Sequence, residues 1–160
     1  RRMATRLGQF LRSSLKLAAT DRIPLAEELE LARAYLEVEG VRYGDRLAFV
    51  EEIDAGCEPI EVPALLLQPL LENAIYHGIE LLPEGGEVLI AGKRYDDDLE
   101  ITISNPVASG EIRAKAGNQM ALANIRQRFE IAYGSRAAVD VDASDTSYTV
   151  RIRFPHERRQ

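Results

Sequence analysis

Residues 65–78 read Leu-Leu-Leu-Gln-Pro-Leu-Leu-Glu-Asn-Ala-Ile-Tyr-His-Gly, and this run constrains the fold more than any other. At helical spacing Leu66, Leu70 and Ala74 form one apolar row, and Leu67, Leu71 and Ile75 form a second. A helix that is apolar along two rows has to be covered by other elements. With Pro63 placed to open it, the helix is predicted to run to about Ile79. Glu72, Asn73, Tyr76 and His77 fall on one strip, because separations of three and four residues share a face. Such a strip is either a solvated face or a chemical site. Burying unpaired polar groups costs a few kcal/mol each, and a carboxylate beside an amide oxygen suits a hard cation such as Mg²⁺. The imidazole one turn on could reach a phosphate.

Elements on either side can be read the same way. Met3, Leu7, Phe10, Ser14 and Leu17 space as 4-3-4-3, one seam along a helix. It is either the tail of a dimerisation stalk or a helix packed on its own domain. After a loop at 19–23, Pro24 starts a helix over about 24–43, with Glu27, Glu28 and Glu30 near its positive end. Leu47–Ile53 is predicted to be a strand. Glu87–Tyr95 and Leu99–Asn105 form a strand pair, since Leu99, Ile101 and Ile103 alternate with polar residues. Pro106–Asn118 reads as a mobile loop and Met120–Tyr133 as a helix. Ala137–Val141 and Tyr148–Phe154 close the chain as strands. Grouped strands with interspersed helices predict an α+β domain, a mixed sheet covered by helices on one face.

Charge excludes one class of partner. The net charge is −6, divided as +5 over 1–20, −14 over 21–100 and +3 over 101–160. An acidic middle does not track a phosphate backbone, so no nucleic-acid partner is expected. The basic start is either an electrostatic footprint or a solvated helix face. No apolar run is long enough to span a membrane. The single cysteine, Cys57, leaves no internal disulfide, fits a reducing compartment and reads as structural. With Arg1 first, the chain is expected to be a piece of a longer protein.

Gln68-Pro-Leu-Leu-Glu-Asn-Ala-Ile-Tyr-His-Gly78 resembles the N-box of GHKL-type histidine kinases, specifically the LytS-like sensor kinases. Pro24 to Glu39, followed by Arg42-Tyr-Gly-Asp-Arg-Leu47, resembles that family's pre-catalytic helix and first strand. Leu122-Ala-Asn-Ile-Arg-Gln-Arg-Phe129 resembles the helix after its ATP lid. The resemblance implies a two-layer α/β sandwich of the GHKL type over 21–160, with extra N-terminal helices. Residues 1–20 would end an upstream dimerisation and phosphoacceptor helix. It also implies transfer of the γ-phosphoryl of ATP to an upstream histidine and then to a response regulator. That regulator would be of LytTR type, with alginate or pilus control as its output. The full-length protein would be a homodimer in the inner membrane, with this domain cytoplasmic. Residue by residue, Asn73 would bind Mg²⁺ between the phosphates, Glu72 would activate the accepting imidazole, and His77 would lie near the phosphates.

Departures from the family pattern surround that intact run. Asn105, in Ile103-Ser-Asn-Pro-Val-Ala-Ser109, stands where the adenine-reading Asp belongs, and its amide oxygen can still accept a hydrogen bond. Pro106 removes a backbone donor. In the lid, Gly117-Asn-Gln-Met-Ala-Leu122 keeps one glycine of three, so Gln119 and Ala121 crowd the approach of backbone N–H groups to phosphates. Gly117, Asn118, Gln119 and Leu122 are the nucleotide-binding candidates there. Tyr148, with Thr149 and Thr146 beside it, stands where a Thr supports adenine, and Tyr76 stands where Lys is frequent. His156 reads as a solvated tail. Two functions follow: a histidine kinase catalytic domain, or a nucleotide-poor, pseudokinase-like module that docks a response regulator.

Overall fold

Alternation fixes which side of each strand is buried, and the strands then assemble by sharing that side. The structure, a computed structural model, describes residues 22–108 and 113–156, with the side chains of 113–119 outside the description. The helix expected over Met3–Leu17 lies outside the described residues. In chain order the elements are β1 (Arg22–Pro24), α1 (Leu25–Tyr43), β2 (Leu47–Ile53), β3 (Glu61–Pro63) and α2 (Leu67–Tyr76). They continue as β4 (Gly86–Tyr95), β5 (Asp98–Pro106), α3 (Arg113–Tyr133), β6 (Ala138–Ala143) and β7 (Ser147–Pro155).

Five strands make one sheet in the order β2-β4-β5-β7-β6. β2 runs parallel to β4, with Leu47 opposite Gly86, and the remaining pairs are antiparallel. The expected mixed sheet is therefore present. Val88, Ile90, Leu99, Ile101, Ile103, Val150, Ile152 and Phe154 are buried in one core with α1, α2 and α3. Phe129 of α3 anchors it, with ring centroids 5.1 Å from Phe154 and 5.6 Å from Tyr133. Arg151 and Arg153 lie on the opposite, exposed face, where Arg153 pairs with Asp98 at 2.9 Å. That exposed pair contributes at most about 1 kcal/mol.

Several boundaries differ from the sequence reading. Pro24 is the N-cap of α1, which starts one residue later, whereas Pro63 does not open α2; each also ends a three-residue strand, and β1 and β3 pair antiparallel as a separate ladder. Strands this short carry too few residues for alternation to register. α2 starts at Leu67 after Leu65 takes a positive φ of 58°, and it ends at Tyr76 instead of Ile79. The stretch read as a loop over Pro106–Asn118 is shorter at both ends. β5 runs through Pro106, and α3 begins at Arg113 instead of Met120. His156 is not a solvated tail; it is 8% exposed. Because β7 continues to Pro155, the His156 N–H reaches the β4–β5 turn and donates to the Asp97 carbonyl at 2.8 Å. Cys57 is buried, as a structural thiol should be.

Candidate functional site

Helix α2, which carries the polar strip, is held at its start by two side chains from other helices. Its first amides have no intrahelical acceptor, and no side chain of its own caps it. The Glu28 carboxylate of α1 accepts instead, from Leu66 N–H at 3.0 Å and Leu67 N–H at 3.4 Å. Glu28 is 1% exposed. Burial holds its carboxyl above the usual range, while the amides of residues 65–67 and the Arg128 guanidinium pull it down. Arg128 of α3 donates to the carbonyls of Ala64 and Leu65. The turn before α2 is thus gripped from both sides, which accommodates the left-handed Leu65. The sequence reading counted Glu28 only as a helix-start acid. The missed signal was its position at i+3 from Leu25 and i−4 from Ala32, inside the apolar stripe.

Along α2 the predicted strip divides. Asn73 is half-buried and lines a small pocket with Leu70 and Ala74 of its own helix. Ile103 and Asn105 of β5, Leu122 of α3, and Tyr148 and Val150 of β7 complete the lining. Glu72 and Tyr76 are exposed, His77 is half-buried, and none of the three lines that pocket. Glu72 accepts from Gln68 Nε2 at 2.9 Å, which aims the carboxylate along the outer face of α2. The His77 N–H closes the helix on the Asn73 carbonyl at 2.9 Å.

Cross-strand register brings the two sheet candidates together, since Asn105 pairs with Tyr148. Burial pushes the Tyr148 phenol up, with Arg126 opposing. Thr149 turns to the other face, where its Oγ1 lies 2.9 Å from Ser104 Oγ. Alternation separates it from Tyr148, so it does not line the pocket. Gly117, Asn118 and Gln119 lie in α3, and the two amide side chains are outside the description. Sequence reasoning missed the apolar walls Ile103 and Val150, which it had read only as strand interior.

The enclosed space is about 10 Å³, room for roughly one water. Among the described residues no three His, Cys, Asp or Glu groups could hold a metal ion. The pocket lining offers amide oxygens, from Asn73 and Asn105, and no carboxylate. That suits Mg²⁺ carried in on phosphates and water, and does not suit a resident all-protein cage. No helix among the described residues is long and apolar enough to cross a membrane.

Similarity to known proteins bears on the fold. Residues 1–47 match the family model described as Histidine kinase. Over 172 residues the chain is 30% identical to the sensor protein LytS of Oceanobacillus iheyensis, covering 98% of this chain and 29% of that protein. The chain thus spans less than a third of that curated relative. The nucleotide-free catalytic domain of the histidine kinase ThkA superposes with a TM-score of 0.60 at 16% identity, covering 84% of this chain and 94% of that one. Full-length ShkA in complex with AMPPNP gives 0.60 at 16% identity, covering 92% and 34%. At these identities the two structures speak for the fold, which is the expected GHKL type.

Proposed function

The chain is a homologue of the LytS sensor histidine kinases with the fold of a histidine kinase catalytic domain, and on that premise we propose that it binds ATP at the pocket between α2, α3, β5 and β7. The observation that carries the reading is the convergence there of Asn73, Asn105, Tyr148 and Leu122 from four elements. Asn105 accepts from the exocyclic amine of adenine, and Tyr148 and the apolar walls flank the ring. Asn73 holds Mg²⁺, which neutralises phosphate charge. Glu72, outside the pocket and steadied by Gln68, takes the proton from an upstream histidine as that imidazole attacks the γ-phosphorus and ADP leaves. Such transfer depends on positioning and charge more than on covalent help. A response regulator of LytTR type then receives the phosphoryl group. The full-length protein is a membrane-attached homodimer with this domain in the cytoplasm.

Calorimetric titration of the 160-residue chain with ATP, with and without Mg²⁺, tests the reading. Binding that requires Mg²⁺ and disappears in Asn73→Ala supports it. Equal binding by Asn73→Ala and the parent removes Asn73 as the ligand. A pocket with room for about one water favours a second reading, a module that docks a response regulator with little nucleotide bound. No heat of binding at millimolar ATP would select that one.

A further inference from the structure

A carboxylate only accepts hydrogen bonds, whereas an Asn amide both donates and accepts. Free to rotate, Asn105 would greet the amine of adenine and the carbonyl of guanine equally well. It is not free to rotate. Its Nδ2 donates to the Pro106 carbonyl at 2.9 Å, and its Oδ1 has no hydrogen bond among the described residues. Turning the amide over would set two oxygens against each other and forfeit that bond. Asn105 is also held extended, as the residue before a proline must be. On its other side Gly78 presses close. A side-chain carbon at Gly78 would overlap Asn105 Nδ2, and would stand 2.5 Å from the Ala74 carbonyl oxygen and 2.8 Å from that of Pro106. What the structure shows at Gly78 is a lack of space for any side-chain carbon.

Resting on the nucleotide reading above, we propose that Pro106 and Gly78 lock the Asn105 amide as a one-way acceptor, so that residues 78, 105 and 106 together select adenine over guanine. The lock also inverts the effect of a carboxylate. An ionised Asp at 105 would place negative oxygen against the Pro106 carbonyl at a side chain only 5% exposed, with no donor between them. A protonated Asp would restore the donor, because its O–H could bond to the Pro106 carbonyl while its C=O accepts from adenine.

The test needs no upstream segment: competition between ATP and GTP, each with Mg²⁺, on the 160-residue chain. The parent is expected to prefer ATP by about 10- to 100-fold, the effect of exchanging one hydrogen bond for an oxygen–oxygen contact. Asn105→Asp should bind ATP at least about tenfold more weakly than the parent at pH 8. The variant-to-parent ratio should recover towards pH 5 as the carboxyl protonates, a ratio in which the titration of ATP itself cancels. Gly78→Ala should lower both affinity and selectivity by pushing the amide aside. Thermal melting reports whether each variant folds, and the ATP/GTP comparison on the parent holds regardless. Equal binding of ATP and GTP by the parent, or Asp at 105 binding ATP as tightly as Asn at pH 8, overturns the lock while leaving nucleotide binding intact. A parent that binds neither nucleotide removes the nucleotide reading and the lock with it.

Discussion

Removing the Glu28 carboxylate should unseat the start of α2 more than any surface change. In Glu28→Ala the Leu66 and Leu67 amides lose their acceptor in a buried site. Each orphaned donor costs about 1–3 kcal/mol. Against this stands relief from burying a charge, which is the largest influence on Glu28 and in general offsets part of such a loss. Two donors outweigh that relief, and a net loss of about 3 kcal/mol is expected at pH 7. With a urea slope of about 2 kcal/mol/M the unfolding midpoint should fall by about 1.5 M. The pH dependence has a definite sign. A carboxyl raised by folding contributes stability that is fully present below its unfolded value, about 4.3. That contribution declines as pH rises through the raised folded value. The gap between parent and Glu28→Ala should therefore be widest in mild acid and narrow towards neutrality. Urea titrations at several pH values measure it. A midpoint unchanged at pH 7 would show that Glu28 does not hold the helix. A gap that widens with pH would refute the burial argument.

The 160-residue chain is expected not to phosphorylate itself. It has two histidines; His77 is half-buried just past the end of α2 and His156 is buried. Acid-labile label on either after incubation with labelled ATP would overturn the assignment of an upstream acceptor. ATP affinity should fall between micromolar and millimolar, because two lost lid donors correspond to about two to four decades. Gln119→Gly with Ala121→Gly should tighten binding in the same calorimetric assay, and no gain would mark the altered lid as a working alternative. Phe129→Ala should destabilise the fold by about 3–5 kcal/mol, since its ring is 2% exposed and meets Tyr133 and Phe154. A loss under about 1 kcal/mol in chemical denaturation would contradict that packing.

The sequence by itself determined the five strands of the main sheet and the bodies of α1, α2 and α3, because periodicity is a relation among residues at most four apart. Leu99, Ile101 and Ile103, then Val150, Ile152 and Phe154, announced their buried side without any partner in view. The order of the polar strip on α2 was legible for the same reason, whereas Asn105 and Tyr148 became candidates only through the family resemblance. Local spacing cannot say what lies across from a residue. Only the tertiary structure decided that Glu28 meets an amide 38 residues away, and that Arg128 reaches back 64 residues to Ala64. It decided that Tyr148 lines the pocket while Thr149, one residue on, joins Ser104 on the other face. In sequence Gly78 is only the residue after His77; in the fold it leaves the space that the Asn105 amide occupies. His156 looks like a tail until the β4–β5 turn closes over it. Each of these depends on which surfaces the strand register brings together, and register is set by the burial of the whole sheet at once.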